Sequence, residues 1–231
     1  MWKKGDGVME KMGLLQYFKH YGTQIKVERE TSICNPMLSD NYIYYLLKGI
    51  ASLTSLTSEG EEKDFLYFSQ ESLLGFAPAL MRHYRKLRGE AAKGVDTEES
   101  TPFGIDTKTD CSFYRLDERT FERLLEEDPQ FQSYVIEAVT LNYVTLVKKF
   151  YSSQEESASR RFYKWLLEFS SPERLTRVVP NGFTYAEIAK YLGMHPVTVY
   201  KLAAKLKKEG ILTKEKGHIV ILDEKSLRAM L

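Results

Sequence analysis

The stretch that decides the fold covers residues 184–206 and reads TYAEIAKYLGMHPVTVYKLAAKL. It predicts a short first helix, because Thr184 and Glu187 have the spacing of a capping box. Gly193 follows where a tight turn needs a positive φ angle, and Pro196 stands where the first turn of a second helix tolerates a missing N–H. Two helices joined by such a turn are typical of a helix-turn-helix.

Small and apolar residues at fixed offsets distinguish this motif from an ordinary helical hairpin. Ala189 is small where the two helices must cross closely, and Val199 is placed to bury the second helix against the first. Ile188, Leu192 and Leu202 are expected to fill the space between the helices. Because a hairpin does not need Ala, Gly and Val at these offsets, the segment predicts DNA binding.

A predicted β-hairpin follows the two helices. Residues 211–213 and 218–221 are short apolar runs, and residues 214–217 between them form a polar turn that ends in glycine. A helix-turn-helix with such a hairpin is a winged helix, whose lysines neutralise phosphates while the first residues of the second helix read base edges. The predicted DNA-contacting residues are Thr184, His195, Pro196, Val197, Thr198, Tyr200, Lys201, Lys205, Lys216 and His218.

Charge is distributed unevenly along the 231 residues. Residues 157–231 carry 14 Lys and Arg against 7 Asp and Glu, whereas residues 1–156 carry 19 against 25. The net charge of +1 therefore conceals a basic carboxyl-terminal segment, which favours a polyanionic partner. Uneven solvation of two surfaces is the alternative interpretation of the charge alone.

Composition excludes several classes of protein. Hydrophobic residues make up 43% of the chain, enough for a folded core, and no apolar run reaches the roughly 18 residues of a transmembrane helix. Cys34 and Cys111 are too few for a disulfide framework or a four-thiolate metal site. The first residues have no apolar stretch typical of a signal peptide, so we expect a cytoplasmic protein. Without a Ser/His/Asp, Cys/His or phosphate-loop combination, we predict neither an enzyme nor a bound metal or cofactor.

Short β-prone segments separated by polar turns fill much of the first half of the chain. Residues 43–47, 51–57, 65–68 and 107–116 each predict a strand. Residues 85–101 are charged and aperiodic, and they predict an exposed loop or a short helix with a loop. This pattern is typical of an antiparallel sandwich or barrel.

Helical spacing begins after Asp117, which is expected to cap a short helix. Pro129 starts a second and longer helix toward Gln154. Its apolar residues are Phe131, Tyr134, Val135, Ala138, Leu141, Leu146 and Phe150. Such a helix predicts pairing with a second copy, with Asn142 fixing the register; the alternative is a helix packed along its own barrel. Residues 152–157 predict a hinge before the basic segment.

These segments together resemble the CRP/FNR family of transcription regulators. The resemblance rests on YYLLKG at 44–49, LGF at 74–76 and TDCSF at 109–113, followed by the long helix and the winged helix. HPVTV at 195–199 is similar to the His-x-Val-Thr-Val signature of one branch of the family. GEEK at 60–63 and SLLG at 72–75 also resemble the halorespiration regulators, which sense halogenated aromatic acids.

The resemblance implies an α+β fold in three parts. Residues 1–128 would form an amino-terminal antiparallel β-roll, a double-stranded β-helix like that of cyclic-nucleotide-binding domains. Residues 129–156 would form the dimerisation helix and hinge, and residues 157–231 the winged helix-turn-helix. The family implies a homodimer that binds a palindromic DNA operator under control of a small-molecule effector, works with RNA polymerase and needs no membrane. The implied effector pocket lies between the roll and the long helix, at Gly75, Phe76, Ala77, Asn142, Tyr143 and Leu146.

Departures from the family pattern change the expected ligand and operator. Cyclic-nucleotide binders carry Gly-Glu-Leu where this chain has Gly-Phe-Ala at 75–77, and their phosphate-binding arginine falls near residues 101–102, which are Thr and Pro. Cyclic AMP is therefore not expected, and the pocket is predicted to take an apolar or aromatic ligand, such as an aromatic acid held by N–H groups near Gly75. Val197 and Lys201 replace a base-reading Glu and Arg, which predicts an altered operator.

Two alternative functions follow from the same segments. In the first, the helix-turn-helix binds DNA and the barrel senses nothing, serving only for dimerisation. In the second, the barrel is a protein-interaction module and the basic segment binds a partner protein. A mobility-shift assay and a ligand screen distinguish these alternatives from an effector-controlled regulator.

Overall fold

A computed structural model describes residues 13–34, 42–56, 62–88 and 103–231. The strands of the amino-terminal part are β1 (Thr23–Val27), β2 (Ser32–Cys34), β3 (Tyr42–Lys48), β4 (Ala51–Leu56), β5 (Glu62–Phe68), β6 (Ser72–Leu74), β7 (Phe103–Thr107) and β8 (Cys111–Asp117). Its helices are α1 (Leu14–Tyr21), α2 (Phe76–Arg88) and α3 (Glu118–Glu127), and the long helix α4 spans Pro129–Glu155. The carboxyl-terminal part contains α5 (Ala158–Glu168), β9 (Ser171–Glu173), β10 (Thr176–Val178), α6 (Tyr185–Leu192), α7 (Pro196–Lys208), β11 (Leu212–Glu215), β12 (His218–Ile221) and α8 (Glu224–Ala229).

Two four-stranded antiparallel sheets form the amino-terminal roll. Their strand orders are β1-β8-β3-β6 and β2-β7-β4-β5. Alternate side chains of both sheets point into a shared core, in which Leu46 and Phe113 of one sheet and Ala51 of the other are fully buried. The predicted α+β fold, with a roll, a long helix and a winged helix-turn-helix, is confirmed.

Helices cover the outer face of the first sheet. Phe18 of α1, Phe121 of α3 and Phe131 of α4 are fully buried there. Asp128 starts α4 by accepting hydrogen bonds from the backbone N–H groups of residues 130 and 131, at 2.9 and 3.1 Å. Tyr17 donates to the same carboxylate at 2.7 Å, and burial with this bond raises the pKa of Tyr17 to about 12. The start of the long helix is therefore fixed to the roll.

The structure corrects two predicted elements and refines a third. The single strand expected at 107–116 is two strands, because the chain turns at 108–110, where Thr109 Oγ1 accepts a hydrogen bond from Ile50 N at 2.9 Å. For residues 85–101, where a loop or a short helix with a loop was expected, residues 85–88 form the end of α2, and residues 89–101 lie outside the described residues. The hinge expected at 152–157 is mostly the last turn of α4, and only residues 156–157 separate α4 from α5.

Helix α4 has two different apolar faces. One face packs on the roll through Phe131 and Val135, and farther along it Asn142 Nδ2 donates to Leu73 O of β6 at 3.3 Å. The prediction that Asn142 fixes the register of a helical pair is therefore wrong, since its amide binds its own roll. The other face is exposed, and its residues are Ile136, Val139, Tyr143, Leu146 and Phe150, spaced by alternating intervals of three and four.

The carboxyl-terminal part is docked against the roll and α4 by an aromatic stack. Tyr191 of α6 lies parallel to Tyr67 of β5, with ring centroids 3.8 Å apart and an interplanar angle of 7°. The ammonium group of Lys149 on α4 lies 3.5 Å from the centroid of the Tyr191 ring. Burial raises the pKa values of both tyrosines. This contact joins all three parts of the chain.

Among the described residues, no helix combines the length and the apolar character that crossing a membrane requires.

Candidate nucleic-acid interface

The first helix of the motif begins with the predicted capping box. Thr184 Oγ1 accepts a hydrogen bond from Glu187 N at 3.1 Å, and the Glu187 carboxylate accepts one from Thr184 N at 2.6 Å. The helix ends at Gly193, whose φ of 63° is left-handed and is tolerated because glycine has no Cβ. Ala189 and Val199 are fully buried where α6 crosses α7. The sequence therefore predicted both the location and the packing of the motif.

The second helix starts with a cap that the sequence did not predict. His195 is the residue before α7, and its Nδ1 accepts a hydrogen bond from Val197 N at 3.3 Å. Pro196 occupies the first turn of the helix, as predicted, and both His195 and Pro196 are exposed. The histidine therefore fixes the start of α7 in addition to its predicted DNA contact.

An exposed surface of mixed character runs along the first turns of α7. Val197 is 48% exposed and Tyr200 is 51% exposed, although both are large hydrophobic side chains. Lys201 is exposed beside them and Thr198 is half-buried. The Tyr200 ring meets the Tyr185 ring edge-on, with centroids 5.5 Å apart. The structure thus presents an apolar group, an aromatic ring and a cation side by side on one helix.

The wing is a tight β-hairpin. Its closing pair is Glu215 with His218, so the loop contains only two residues. Lys216 and Gly217 have φ angles of 47° and 89°, as in the type I′ turn that matches the strand twist. Lys216 is exposed at the tip and His218 is half-buried. Strand β12 also pairs with β10, so the wing belongs to a four-stranded sheet.

Part of this sheet was not predicted. Residues 171–178 form the hairpin β9–β10, and Arg174 at its tip has a φ of 53°. Arg177 of β10 donates from Nη2 to Leu167 O at 3.1 Å, which ties the hairpin to α5. Two three-residue strands with a proline give no alternating pattern from which the sequence could have predicted them.

Lysines extend the positive surface along α7. Lys205 is exposed and lies 4.0 Å from the Glu209 carboxylate, one turn away. Lys207 points to another side, where its ammonium group lies 5.8 Å from the centroid of the Tyr185 ring. Exposed ion pairs of this kind are weak, so Lys205 is free to exchange Glu209 for a phosphate.

The predicted effector residues lie in different surroundings. Asn142 lines a cavity of about 520 Å³ between the roll and α4, together with Tyr45, Leu73 and Tyr134. Its lining includes neither residues 75–77 nor the other two predicted residues of α4. The side chains of Tyr143 and Leu146 are on the exposed face of α4 instead.

Residues 75–77 lie where β6 ends and α2 begins, and this position decides what their side chains contact. Gly75 separates β6 from α2, Phe76 is half-buried against the outer helices of the roll, and Ala77 is exposed. The structure therefore brings Asn142 to the expected cavity but does not gather the six predicted residues around it.

The cavity at Asn142 is acidic. Glu71, Glu137 and Glu168 contribute to its lining, and no Lys or Arg does so among the described residues. Burial raises the pKa of Tyr45 on the same wall, so this hydroxyl stays neutral at ordinary pH. The surroundings disfavour a phosphate and fit a neutral or cationic ligand with apolar surface.

Comparison with known proteins agrees with this geometry. Residues 160–230 match the family model of the Crp-like helix-turn-helix domain. No curated protein sequence gives a significant match.

Solved structures are similar over nearly the whole chain. FixK2 from Bradyrhizobium japonicum is 16% identical with a TM-score of 0.69, over 90% of this chain and 96% of that one. TTHA1359, a CRP/FNR-family regulator from Thermus thermophilus, is 17% identical with a TM-score of 0.66, over 90% and 97%. The c-di-GMP-responsive regulator CLP of Xanthomonas campestris is 13% identical with a TM-score of 0.65, over 91% and 98%. Residues 160–230 are thus a Crp-like helix-turn-helix domain, and the chain has the fold of solved CRP/FNR-type regulators.

Proposed function

We propose that this protein is a sequence-specific transcription regulator that binds a palindromic DNA operator as a homodimer and responds to a small molecule other than cyclic AMP. The observation that carries the proposal is the exposed start of α7, where Val197, Tyr200 and Lys201 lie side by side on a Crp-like helix-turn-helix. Major-groove readers place these first residues of the second helix on base edges. A valine suits a thymine methyl group, and a lysine suits guanine or a phosphate.

The other predicted DNA contacts have supporting roles. Thr184, Lys205 and Lys216 are exposed at the start of α6, along α7 and on the wing, where they suit phosphate contacts. Such contacts fix the position of the domain on the duplex without reading sequence. They make binding strongly dependent on salt.

Dimerisation would use the exposed face of α4. The alternating intervals of three and four along Ile136, Val139, Tyr143, Leu146 and Phe150 are those of a coiled-coil seam. Each of these large side chains is at least 36% exposed in the single chain, and exposed apolar stripes of this kind mark interfaces. In this proposal, residues 1–128 form the sensor, 129–156 the dimer helix and 157–231 the DNA reader.

The effector would bind between the roll and α4. The cavity at Asn142 supports this location, and its acidic lining supports the exclusion of cyclic phosphates. Of the six predicted residues, Asn142 lines this cavity, whereas Gly75, Phe76, Ala77, Tyr143 and Leu146 lie outside its lining. An aromatic acid of the kind sensed by halorespiration regulators fits this cavity only if its carboxylate stays away from the glutamates. RNA polymerase is the partner that a regulator of this fold would recruit.

DNA binding is tested by fluorescence anisotropy with a pool of random duplexes at two salt concentrations. We expect nanomolar to micromolar binding that weakens steeply with salt, and enrichment of particular sequences after several rounds. If the protein binds no duplex at low salt, the proposal fails and the basic segment serves another partner.

A further inference from the structure

A second cavity lies where α4, α5 and α6 meet, and it differs from the acidic one in charge. Its volume is about 330 Å³, within the range of small-molecule sites. Lys148 and Lys149 line it from α4, and Arg161 and Lys164 line it from α5. Among the described residues, the single carboxylate in its lining is Glu168, and desolvation raises the pKa of that group.

Three of the four cations lack a carboxylate partner. Lys164 forms an ion pair with Glu156 and is neutralised. Within the part of the chain that the structure describes, Lys148, Lys149 and Arg161 form no ion pair. Burial lowers the pKa of Lys149 to about 8, although its ammonium group donates a hydrogen bond to Phe65 O and lies over the Tyr191 ring.

Two buried donors at the cavity also lack partners. Trp165 is 2% exposed, and its Nε1 has no hydrogen-bond acceptor among the described residues. The same holds for Arg161 Nε, although Nη1 of that guanidinium donates to Leu192 O at 2.8 Å. Buried donors in proteins are almost always paired, so the two unpaired N–H groups are unusual, and their dipoles add to the positive potential of the residues that line this cavity.

Apolar and aromatic surface completes the walls. Leu66 of β5, Leu192 and Tyr191 of α6 and the Trp165 ring all line the cavity. The cations of this site would bind a negatively charged group, and its aromatic and apolar surface would contact a carbon skeleton. Such a site suits an organic anion rather than a bare inorganic ion.

We propose that this cavity binds a small organic anion, a phosphate or carboxylate on an apolar body, through Lys148, Lys149 and Arg161. The walls come from all three parts of the chain, so a bound anion holds the helix-turn-helix domain against the roll and α4. The cavity adjoins the one at Asn142, because Thr145 and Glu168 line both, but it carries the opposite charge. The proposal does not depend on DNA binding.

The test is calorimetric titration of the full-length protein, without DNA, using phenyl phosphate, benzoate, inorganic phosphate and neutral phenol. We expect phenyl phosphate or benzoate to bind at least about tenfold more tightly than phenol, as charge-assisted hydrogen bonds predict. Tighter binding of phenyl phosphate would assign a phosphate headgroup, and tighter binding of benzoate a carboxylate. The proposal is overturned if neither anion binds at millimolar concentration, or if inorganic phosphate binds as tightly as both.

Variants locate the binding site. Arg161→Gln should weaken the bound anion about tenfold or more, since it removes a buried charged donor. Lys148→Gln should weaken it about threefold, because that lysine is exposed. Arg160→Gln is the matched control, since Arg160 is the adjacent residue on α5, pairs with Glu156 at 3.3 Å and does not line the cavity.

Arg161 also holds the end of α6, so Lys148→Gln is the variant that keeps the test sound if Arg161→Gln fails to fold. Unchanged anion affinity in Lys148→Gln, with a native circular dichroism spectrum, contradicts the proposal. An equal loss in Arg160→Gln contradicts it as well, because the effect would then reflect net charge. The proposal is also contradicted if the wild type binds no anion and Lys148→Gln binds every DNA sequence equally more weakly than the wild type does. The cations would then contact DNA phosphates instead.

Discussion

Lys201 is exposed near the start of α7, the helix that we propose reads the major groove. If it reads a base, Lys201→Ala should weaken operator binding by about 1–3 kcal/mol and relax the preference at one base pair. The measurement is anisotropy with the operator and with single-base variants of it. Lys19→Ala, an exposed lysine on α1 of the roll, is the control and should leave binding unchanged. A loss that is equal on every duplex would mark Lys201 as a phosphate contact.

Lys149 makes stability depend on pH in a defined direction. Its pKa is lowered from 10.5 to about 8 by burial, with Asp64 and Lys63 facing it from β5 and Glu168 from α5. Between pH 8 and 10.5 the unfolded chain therefore binds more protons at this site than the folded chain does. The contribution of Lys149 to the free energy of unfolding therefore rises with pH across that window, by up to about 1.4 kcal/mol per pH unit.

Chemical denaturation from pH 7.5 to 9.5 measures this effect. The free energy of unfolding of the wild type, minus that of Lys149→Met, should increase as the pH rises above 8. Lys148→Met is the matched control, because Lys148 is its exposed neighbour on α4, and the comparison shows whether the pH dependence belongs to position 149. A difference between the wild type and Lys149→Met that falls with pH would show that the folded state favours the charged lysine.

Helix α4 has one face packed on the roll and another that is exposed, and the exposed face is the proposed dimer seam. Leu146 is 48% exposed within the seam, whereas Leu141 is 59% exposed on the opposite side of the helix. Leu146→Glu should shift the protein from dimer to monomer at micromolar concentration, because it places two like charges in an apolar seam. Leu141→Glu adds the same charge outside the seam and should leave the dimer intact. Sedimentation equilibrium measures both, and a wild type that is monomeric would contradict the assignment of the seam.

Local signals predicted some elements and not others. The capping box, Gly193 and Pro196 each act within about one turn of chain, so the sequence of residues 184–206 predicts its own local structure correctly. Asn142 was assigned to the wrong face, because it lies near the boundary of two adjacent apolar stripes and its partner, Leu73 O, is distant in sequence. The hinge was placed too early, since serines and glutamates at the end of α4 continue a helix as readily as they end one.

Nonlocal packing explains what the sequence could not predict in the candidate sites. The stack of Tyr67 on Tyr191 and the cluster at Lys149 join residues up to 124 positions apart. Each tyrosine alone is consistent with an ordinary core residue. Only the docking of α6 on β5 and α4 brings them together and encloses the basic cavity.

The charges of the two cavities lead to a ligand prediction for the whole molecule. Cyclic AMP and cyclic GMP should not bind in the acidic cavity. Its lining contains three glutamates and, among the described residues, no Lys or Arg that could neutralise the phosphate. Calorimetry with each nucleotide tests this, and Asn142→Ala is the control that removes the only predicted polar contact there. The prediction is contradicted if the wild type binds either nucleotide tightly and then binds DNA more tightly, and if Asn142→Ala no longer binds the nucleotide.

Binding of DNA by a dimer is tested by selecting bound duplexes from a random library. Two recognition helices paired through α4 should select two inverted half-sites whose centres are about one helical turn, roughly 34 Å, apart. The selected base sequence of each half-site should change when Val197 and Lys201 are replaced, and it should stay the same when Lys19 is replaced. Selection of an inverted repeat with this spacing is the predicted result. Enrichment of a single asymmetric site, or of no sequence at all, would contradict it.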